Sequence, residues 1–140
     1  MTGDELRALA TDIWERFNAH DVSDYDERIA ADFLNHNATP GTPKGPEGQR
    51  QVVSRLFEAF PDLRFDIDET FVADGRIAVL GWMSGTQTGQ FGPFPPSGKS
   101  YRARHVHTFR VNDHGKLTEH LAVRDDVSML QQLGHMPNPG

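Results

Sequence analysis

The sequence predicts an α+β domain in which helices cover one face of a curved antiparallel sheet and enclose an apolar pocket. Apart from a short segment near the end of the chain, helical periodicity is confined to the residues before Pro61, whereas alternating strand patterns dominate the residues after it. Helices first and antiparallel strands afterwards are typical of this class. A chain of 140 residues has the size of one domain, and it buries roughly 68–70% of its unfolded surface. Residues 1–140 are therefore predicted to form a single domain.

Three helices and one short strand are predicted in the first half. Residues 4–19 place apolar side chains at the 3, 4, 7 spacing of one helical face, and Thr2 and Glu5 have the spacing of a capping box at its start. Residues 24–31 are predicted as a short second helix and residues 33–37 as a short strand. The third helix is predicted to begin at Pro46, because proline is tolerated in the first turn of a helix.

The second half is predicted to hold the larger part of the sheet. The dipeptide Asp74-Gly75 indicates a hairpin turn between the first two of these strands. Residues 89–98, rich in glycine and proline, are predicted as a structured loop, and residues 127–133 as a final helical segment. The strands are predicted over residues 65–71, 77–88, 101–111 and 117–125.

Two histidines and two carboxylates are predicted to share the inner face of the last two strands. His105 and His107 have the parity of the large apolar residues on one strand, and Glu119 and Asp125 have that parity on the next. The opposite parity carries arginines, which belong in water. Each histidine taken alone is better explained as a hydrogen-bonded core residue than as a catalytic one. Four ionisable residues on one inner face favour a site for acid–base chemistry, because burying unpaired charge is costly.

Composition excludes several classes of function. The net charge of −6 disfavours nucleic acid and anionic membranes as partners, because phosphate would be repelled. The absence of cysteine excludes disulfides, thiolate metal sites and a cysteine nucleophile. No stretch approaches the ~20 apolar residues of a membrane span, and the first residues lack the basic region of a signal peptide. A cytoplasmic protein is therefore expected.

No cofactor is expected either. The segment Gly98-Lys99-Ser100 resembles the end of a phosphate-binding loop, but position 93 is proline and a strand follows where a helix is required. The pair His105 and His107 resembles a metal pair on a strand, with Glu119 or His120 as a possible further ligand. The acidic residue that cupin-like sites place shortly after the second histidine is missing, so no metal is predicted.

Several short motifs occur together in the order found in one enzyme family. As a set they resemble the SnoaL-like polyketide cyclases over nearly the whole chain. The motifs are Phe33-Leu34-Asn35-His36-Asn37, Gly45-Pro46-Glu47-Gly48, Ala59-Phe60-Pro61-Asp62-Leu63-Arg64, Gly85-Thr86-Gln87-Thr88-Gly89, Pro96-Ser97-Gly98-Lys99, Glu119-His120-Leu121, Asp125, and Leu130-Gln131-Gln132-Leu133-Gly134.

The resemblance implies an NTF2-like cone, in which a strongly curved antiparallel sheet packs against three helices around an apolar pocket. It implies catalysis without a cofactor, by intramolecular aldol condensation of a hydrophobic polyketide ester, in a homodimer or homotetramer. An aspartate serves as the general acid and base in this family, and the match places that role at Asp125. His105 and His107 are candidates to donate to the substrate carbonyl or to orient Asp125.

Further residues are predicted to bind the substrate, and several of them have two interpretations. Strand parity divides the segment 35–37 without deciding which side faces the pocket. Trp82 is either a pocket wall or core, and Glu119 is either a second acid or a partner of a histidine. The alternative functions are a non-catalytic binding module, or an isomerase, dehydratase or hydroxylase of the same fold. The predicted substrate-binding residues are Asn35, His36, Asn37, Trp82, Glu119 and Leu121.

Overall fold

In a computed structural model, which describes residues 1–138, four helices and five strands surround one core. Thr2 and Glu5 form the predicted capping box at the start of the first helix, with both hydrogen bonds at 3.1 Å. Within this part of the chain no helix is long and apolar enough to cross a membrane. The elements are α1 (Gly3–Asn18), α2 (Tyr25–Arg28), β1 (Ile29–Asn35), α3 (Gly45–Ala59), β2 (Arg64–Ala73), β3 (Arg76–Thr86), β4 (Ser100–Val111), β5 (Leu117–Arg124) and α4 (Asp126–Leu133).

The five strands form one curved sheet in the order β1-β5-β4-β3-β2. The pairs β2–β3, β3–β4 and β4–β5 are antiparallel, as predicted. β1 differs, because it pairs parallel to β5, from Ile29 beside Leu117 to Asn35 beside His120. The predicted second helix is shorter for the same reason. Pairing with β5 takes the residues from Ile29 onward into the sheet, and tertiary context here overrides local propensity.

Inner and outer side chains alternate without interruption along the 12 residues of strand β4. Its inner side chains are all buried, and they face the apolar side of α1, where Leu6, Ala10 and Trp14 are buried. Because no bulge interrupts the alternation, the parity predicted from the sequence is correct here. The inner residues of β4 are Tyr101, Ala103, His105, His107, Phe109 and Val111.

The strand β5 contains an irregularity that the sequence analysis missed. Val111 pairs with Leu117 and Arg110 pairs with Glu119, so that Thr118 is an extra residue opposite β4. Every side chain after this bulge points to the face opposite to the predicted one. His120 and Ala122 are consequently buried, and Glu119, Leu121 and Val123 lie on the outer face of the sheet.

The loop between β3 and β4 is held together by one buried amide. Gln87 has no exposed surface, and its amide nitrogen, Nε2, donates to the carbonyls of Gly89, Phe94 and Pro95, each at 3.1 Å. Its Oε1 atom lies 2.6 Å from Nε2 of His135, just beyond α4. The amide therefore fixes the predicted structured loop and fastens His135, directly after α4, to it.

Candidate active site

A cavity of about 130 Å³ lies between the inner face of the sheet and the helices α1 and α3. Most of its wall is apolar, and one side is formed by the histidines of β4 and β5. The residues that line it include Ile13, Trp14, Phe17, Phe33, Val53, Leu56, Phe60, Met83, Tyr101, His105, His107, Phe109, His120 and Met129. Such an enclosed apolar space with a few polar groups is typical of small-molecule sites.

Three buried imidazoles form a continuous hydrogen-bonded chain along this wall. Nδ1 of His105 lies 3.0 Å from Nε2 of His107, and Nδ1 of His107 lies 2.9 Å from Nε2 of His120. Nδ1 of His120 lies 2.9 Å from Oδ1 of Asn35, whose own amide donates to Oε1 of Gln49 at 3.1 Å. The chain therefore begins in the cavity at His105 and ends at two amides that β1 and α3 contribute.

The amide end of this chain determines which nitrogen of each histidine carries the proton. Oδ1 of Asn35 also accepts the backbone N–H of Asn37 at 3.0 Å, so this atom is the amide oxygen and His120 must donate to it from Nδ1. A neutral His120 then accepts at Nε2 from His107, and His107 accepts at Nε2 from His105. The Nε2 atom of His105 is left with a free lone pair.

Burial keeps all three rings neutral at physiological pH. Desolvation, followed by the positive charge of Arg124, lowers the pKa of His105 to about 4. The same two causes lead in lowering the pKa of His120 to about 4. Desolvation and then the neighbouring rings of His120 and His105 hold the pKa of His107 well below its usual value. A neutral chain is also what the hydrogen-bond directions require.

The unpartnered polar atoms of the buried interior are concentrated at this cavity. Within residues 1–138, the buried side-chain nitrogen and oxygen atoms without a hydrogen-bond partner belong to Trp14, Asp24, Arg28 and His105, and all four residues line the cavity. Leaving a buried polar group unpaired costs about 1–3 kcal/mol. Two of these atoms have complementary hydrogen-bonding roles. Nε2 of His105 is an acceptor, and the N–H at Nε1 of Trp14 is a donor. Each such group in a native protein calls for an explanation, and a catalytic role, strain or a bound water or ion are the known ones.

The predicted position of Asp125 is wrong. Its side chain is exposed and is not part of the cavity wall, and its Oδ1 accepts the backbone N–H of Ser128 at 3.0 Å as the N-cap of α4. The bulge at Thr118 reverses the parity on which the prediction was based. The next carboxylate, Asp126, is the one that borders the cavity, paired with Arg124 at 3.2 Å.

Four of the predicted substrate-binding residues also lie away from the cavity. His36 and Glu119 face each other on the outer side of the sheet at 3.4 Å, and Glu119 also pairs with Arg110. The exposed side chain of Leu121 lies on that side as well. The indole of Trp82 is on the outer face too, where the guanidinium groups of Arg102 and Arg104 lie 4.1 and 4.3 Å from its ring centre.

Asn35 and Asn37 are the predicted binding residues that do reach the cavity wall. Asn35 is engaged in the histidine chain described above. The Asn37 amide both donates to the carbonyl of Ala122 at 2.9 Å and accepts from its N–H at 2.8 Å. These two bonds continue the pairing of β1 with β5 by one residue, with the Asn37 side chain in the place of a backbone amide. The contacts of Asn37 are therefore structural.

Sequence reasoning missed His120, Gln49, Trp14, Asp24 and Arg28 as site residues. His120 was assigned to the outer face by the parity that the bulge reverses. One feature of the sequence favours the observed arrangement. With Glu119 on the outer face, its carboxylate can pair with Arg110 on the neighbouring strand β4, as it does in the structure. The other four residues lie on helices or in a loop, where strand parity carries no information.

The histidine pair does not have the features of a metal site. The facing nitrogens of His105 and His107 are engaged with each other at 3.0 Å. In the part of the chain that the structure describes, no three histidine, aspartate or glutamate side chains are grouped so that they could hold a metal ion. The lone pair of His105 Nε2 is therefore a single nitrogen ligand without companions.

Similar folds are known from several bacterial proteins. TsrD from Streptomyces laurentii superposes with a TM-score of 0.86 at 22% identity, over 97% of this chain and 99% of that one. AclR from Streptomyces galilaeus, a proposed hydroxylase, gives a TM-score of 0.83 at 22% identity, over 99% and 87% of the two chains. IdmH from Streptomyces antibioticus, a proposed polyketide cyclase, gives a TM-score of 0.77 at 29% identity, over 92% and 98%. These likenesses agree with the NTF2-like fold.

The family itself is established by sequence. No curated protein sequence matches the chain significantly. The sequence model of the SnoaL-like polyketide cyclases, however, matches residues 5–133, which include every element from α1 to α4 except the first two residues of α1. With the fold and the enclosed cavity in agreement, the chain belongs to the SnoaL-like polyketide cyclase family.

Proposed function

We propose that this protein is a cofactor-independent acid–base enzyme that closes a ring in a hydrophobic, polyketide-like substrate by intramolecular aldol condensation. The observation that carries the proposal is the free lone pair of His105 Nε2 in an apolar cavity, at the end of a chain that fixes its tautomer. Family membership supports the class of reaction. The base is His105 in this proposal, in place of Asp125, which lies outside the cavity.

The reaction begins when Nε2 of His105 removes a proton from a carbon next to a carbonyl group. The N–H of Trp14, which has no acceptor in the protein, donates to the enolate oxygen. The enolate carbon then attacks a second carbonyl of the same molecule and forms the new carbon–carbon bond. The resulting alkoxide takes the proton back from His105 Nε2, so the enzyme returns to its starting state.

The low pKa of His105, about 4, restricts the substrates on which this base can act. A neutral imidazole with such a pKa is a weak base, and its protonated form is a strong acid. The first step is therefore feasible only where the carbon is already acidified, as between the two carbonyl groups of a β-dicarbonyl unit. The last step, protonation of the alkoxide, is favoured by the same pKa. Polyketide chains consist of such units.

The residues behind His105 act as positioning residues. His107 and His120 accept at Nε2 the Nδ1–H of the preceding ring, and Asn35 Oδ1 accepts the Nδ1–H of His120. These bonds keep the Nε2 lone pair of His105 directed at the cavity. This arrangement has the logic of a base oriented by a further group. Asn35→Leu removes the terminal acceptor, so that the rings can adopt the opposite tautomers.

The proposal is tested by measuring proton abstraction directly. Ethyl benzoylacetate, an aryl β-keto ester, exchanges its activated hydrogens for deuterium in D2O, and proton NMR follows the rate. The wild-type protein is expected to accelerate this exchange, and His105→Gln is expected to lose the acceleration by 10²–10⁴-fold, the usual effect of removing a general base. His114→Gln, on an exposed turn, is the matched control and should exchange as the wild type does.

Asp125→Asn separates this proposal from the assignment suggested by family resemblance. We expect it to keep its exchange activity, because Asp125 is exposed and asparagine is an equally good helix cap. Full activity of a folded His105→Gln protein, or loss of activity only in Asp125→Asn, would refute the assignment of the base. A wild-type protein that binds the ester without accelerating exchange would instead favour a non-catalytic binding module. A homodimer or homotetramer remains a prediction, checked by light scattering.

A further inference from the structure

We propose that the end of the cavity beside α2 is a recognition subsite for a neutral hydroxyl group of the substrate, held between Arg28 and Asp24. This proposal rests on the proposed function in one respect: it takes the cavity as the substrate site. It concerns binding and orientation, at a place remote from the base.

The two side chains are in ion-pair contact, and both keep buried hydrogen-bonding atoms without partners. Arg28 Nε lies 2.8 Å from Asp24 Oδ2 in an ion-pair contact, and Arg28 Nη2 pairs with Asp12. Its third nitrogen, Nη1, is buried and has no acceptor, and Asp24 Oδ1 is buried and has no donor. Asp24 Oδ2 is buried as well, and its contact with Arg28 Nε is an ion pair without an aligned hydrogen bond. Their side chains are only 15% and 13% exposed, so bulk water does little to compensate them.

The charge of the surrounding cluster selects the kind of group that can bind. Asp12, Asp21 and Asp24 contact Arg16 or Arg28 in a network of ion pairs. Three carboxylates and two guanidinium groups give a formal charge of −1, so a ligand carboxylate would be repelled. An ammonium group would leave the Arg28 donor unpaired. A hydroxyl group satisfies both atoms, since its oxygen accepts from Arg28 Nη1 and its proton is donated to Asp24 Oδ1.

The subsite and the base lie towards opposite ends of β5. Arg28 immediately precedes Ile29, which pairs with Leu117 at the start of that strand, whereas His105 pairs with Arg124 at its end. Seven residues of strand correspond to roughly 23 Å of backbone, and the side chains reach inward from both ends. A hydroxyl held at Arg28 therefore orients an elongated molecule so that its far end meets His105. Remote binding of this kind is used to position the reacting atoms.

The test compares three two-ring probes of similar size by isothermal titration calorimetry at pH 7.5: 2-naphthol, 2-methylnaphthalene and 2-naphthoate. The full-length protein is expected to bind 2-naphthol at least about tenfold more tightly than the other two, the effect of a hydrogen bond to a charged group. Arg28→Met is expected to abolish the preference for naphthol over methylnaphthalene. Arg50→Met is the matched control, because Arg50 pairs with Asp26 and Glu47 and is not part of the cavity wall.

Asp24→Asn provides a second, nearly isosteric variant in case Arg28→Met fails to fold. It raises the formal charge of the cluster from −1 to zero, so binding of 2-naphthoate should strengthen relative to 2-naphthol. An unchanged ratio in a folded Asp24→Asn protein, or an unchanged naphthol preference in a folded Arg28→Met protein, would overturn the subsite.

His105→Gln distinguishes failure of the subsite from failure of the proposed function. This variant should lose proton exchange but keep the preference for 2-naphthol. A preference that disappears in His105→Gln and survives in Arg28→Met would mean that the hydroxyl binds at the base, and the proposal would be wrong.

Discussion

Mild acid should destabilise this protein through its three buried histidines. His105, His107 and His120 are neutral in the folded state because burial lowers the pKa of each, to about 4 in the case of His105 and His120. In the unfolded chain the same side chains have an ordinary pKa of about 6.5. Below that pH the unfolded state binds more protons than the folded state, so the free energy of unfolding decreases as the pH falls. The stabilisation is fully present above pH 6.5 and is lost between pH 6.5 and about 4.

The size of the effect follows from the same pKa values. Each histidine contributes about 1.3 kcal/mol more to the free energy of unfolding at pH 7.5 than at pH 5.5, and three contribute about 4 kcal/mol. This is a large part of the total stability of a typical domain, about 5–15 kcal/mol. Carboxylates contribute little in this interval, because in the unfolded chain they remain ionised above pH 5.5.

Urea unfolding at pH 7.5 and pH 5.5 measures the difference, provided that the slope with urea concentration is the same at both pH values. His105→Gln should reduce the pH dependence by about one third, since it removes one of three coupled groups. His114→Gln, on an exposed turn, should leave it unchanged. A difference below about 1 kcal/mol between the two pH values would refute the neutral, buried chain.

Two further substitutions test the packing around the site. Asp125→Ala should lower the free energy of unfolding by about 1 kcal/mol through loss of the α4 N-cap, whereas Asp125→Asn should leave it nearly unchanged; equal losses in thermal denaturation would argue against a capping role. Gly81→Ala should destabilise by about 1–3 kcal/mol or more, because an added Cβ would lie 2.2 Å from the carbonyl oxygen of Asp66 and 2.8 Å from the ring of Phe65. A Gly81→Ala protein with the melting temperature of the wild type would contradict this backbone approach.

The sequence predicted the inner face of β4 correctly and that of β5 wrongly, and the difference has a local cause. The alternation of inner and outer side chains is reliable along β4, because every residue from Ser100 to Arg110 pairs in register with β3. In β5 a single extra residue, Thr118, moves the following side chains to the other face. A bulge depends on how two strands fit each other, so it leaves no clear mark in the pattern of one strand.

The site could be predicted only in part for a related reason. His105 and His107 were found because they alternate with apolar residues on one strand. The residues that complete the chain, Asn35 and Gln49, come from β1 and α3, and their contacts depend on the parallel pairing of β1 with β5. Tertiary pairing of that kind is not encoded in local periodicity, which predicted neither the direction of β1 nor its start.

The hydrogen bond between His120 and Asn35 joins residues 85 positions apart, and this separation ties the chemistry of His105 to completion of folding. Closing a loop of that length carries an entropic cost of ~4 kcal/mol, repaid only when β1 docks on β5. A chain in which β1 has not docked retains the histidines of β4 and β5 but lacks the acceptor that orders their tautomers. If the polypeptide were divided in the segment between β1 and α3, one fragment would carry the base and the other its terminal acceptor. Proton abstraction by the mixed fragments would then serve as a reporter of reassembly.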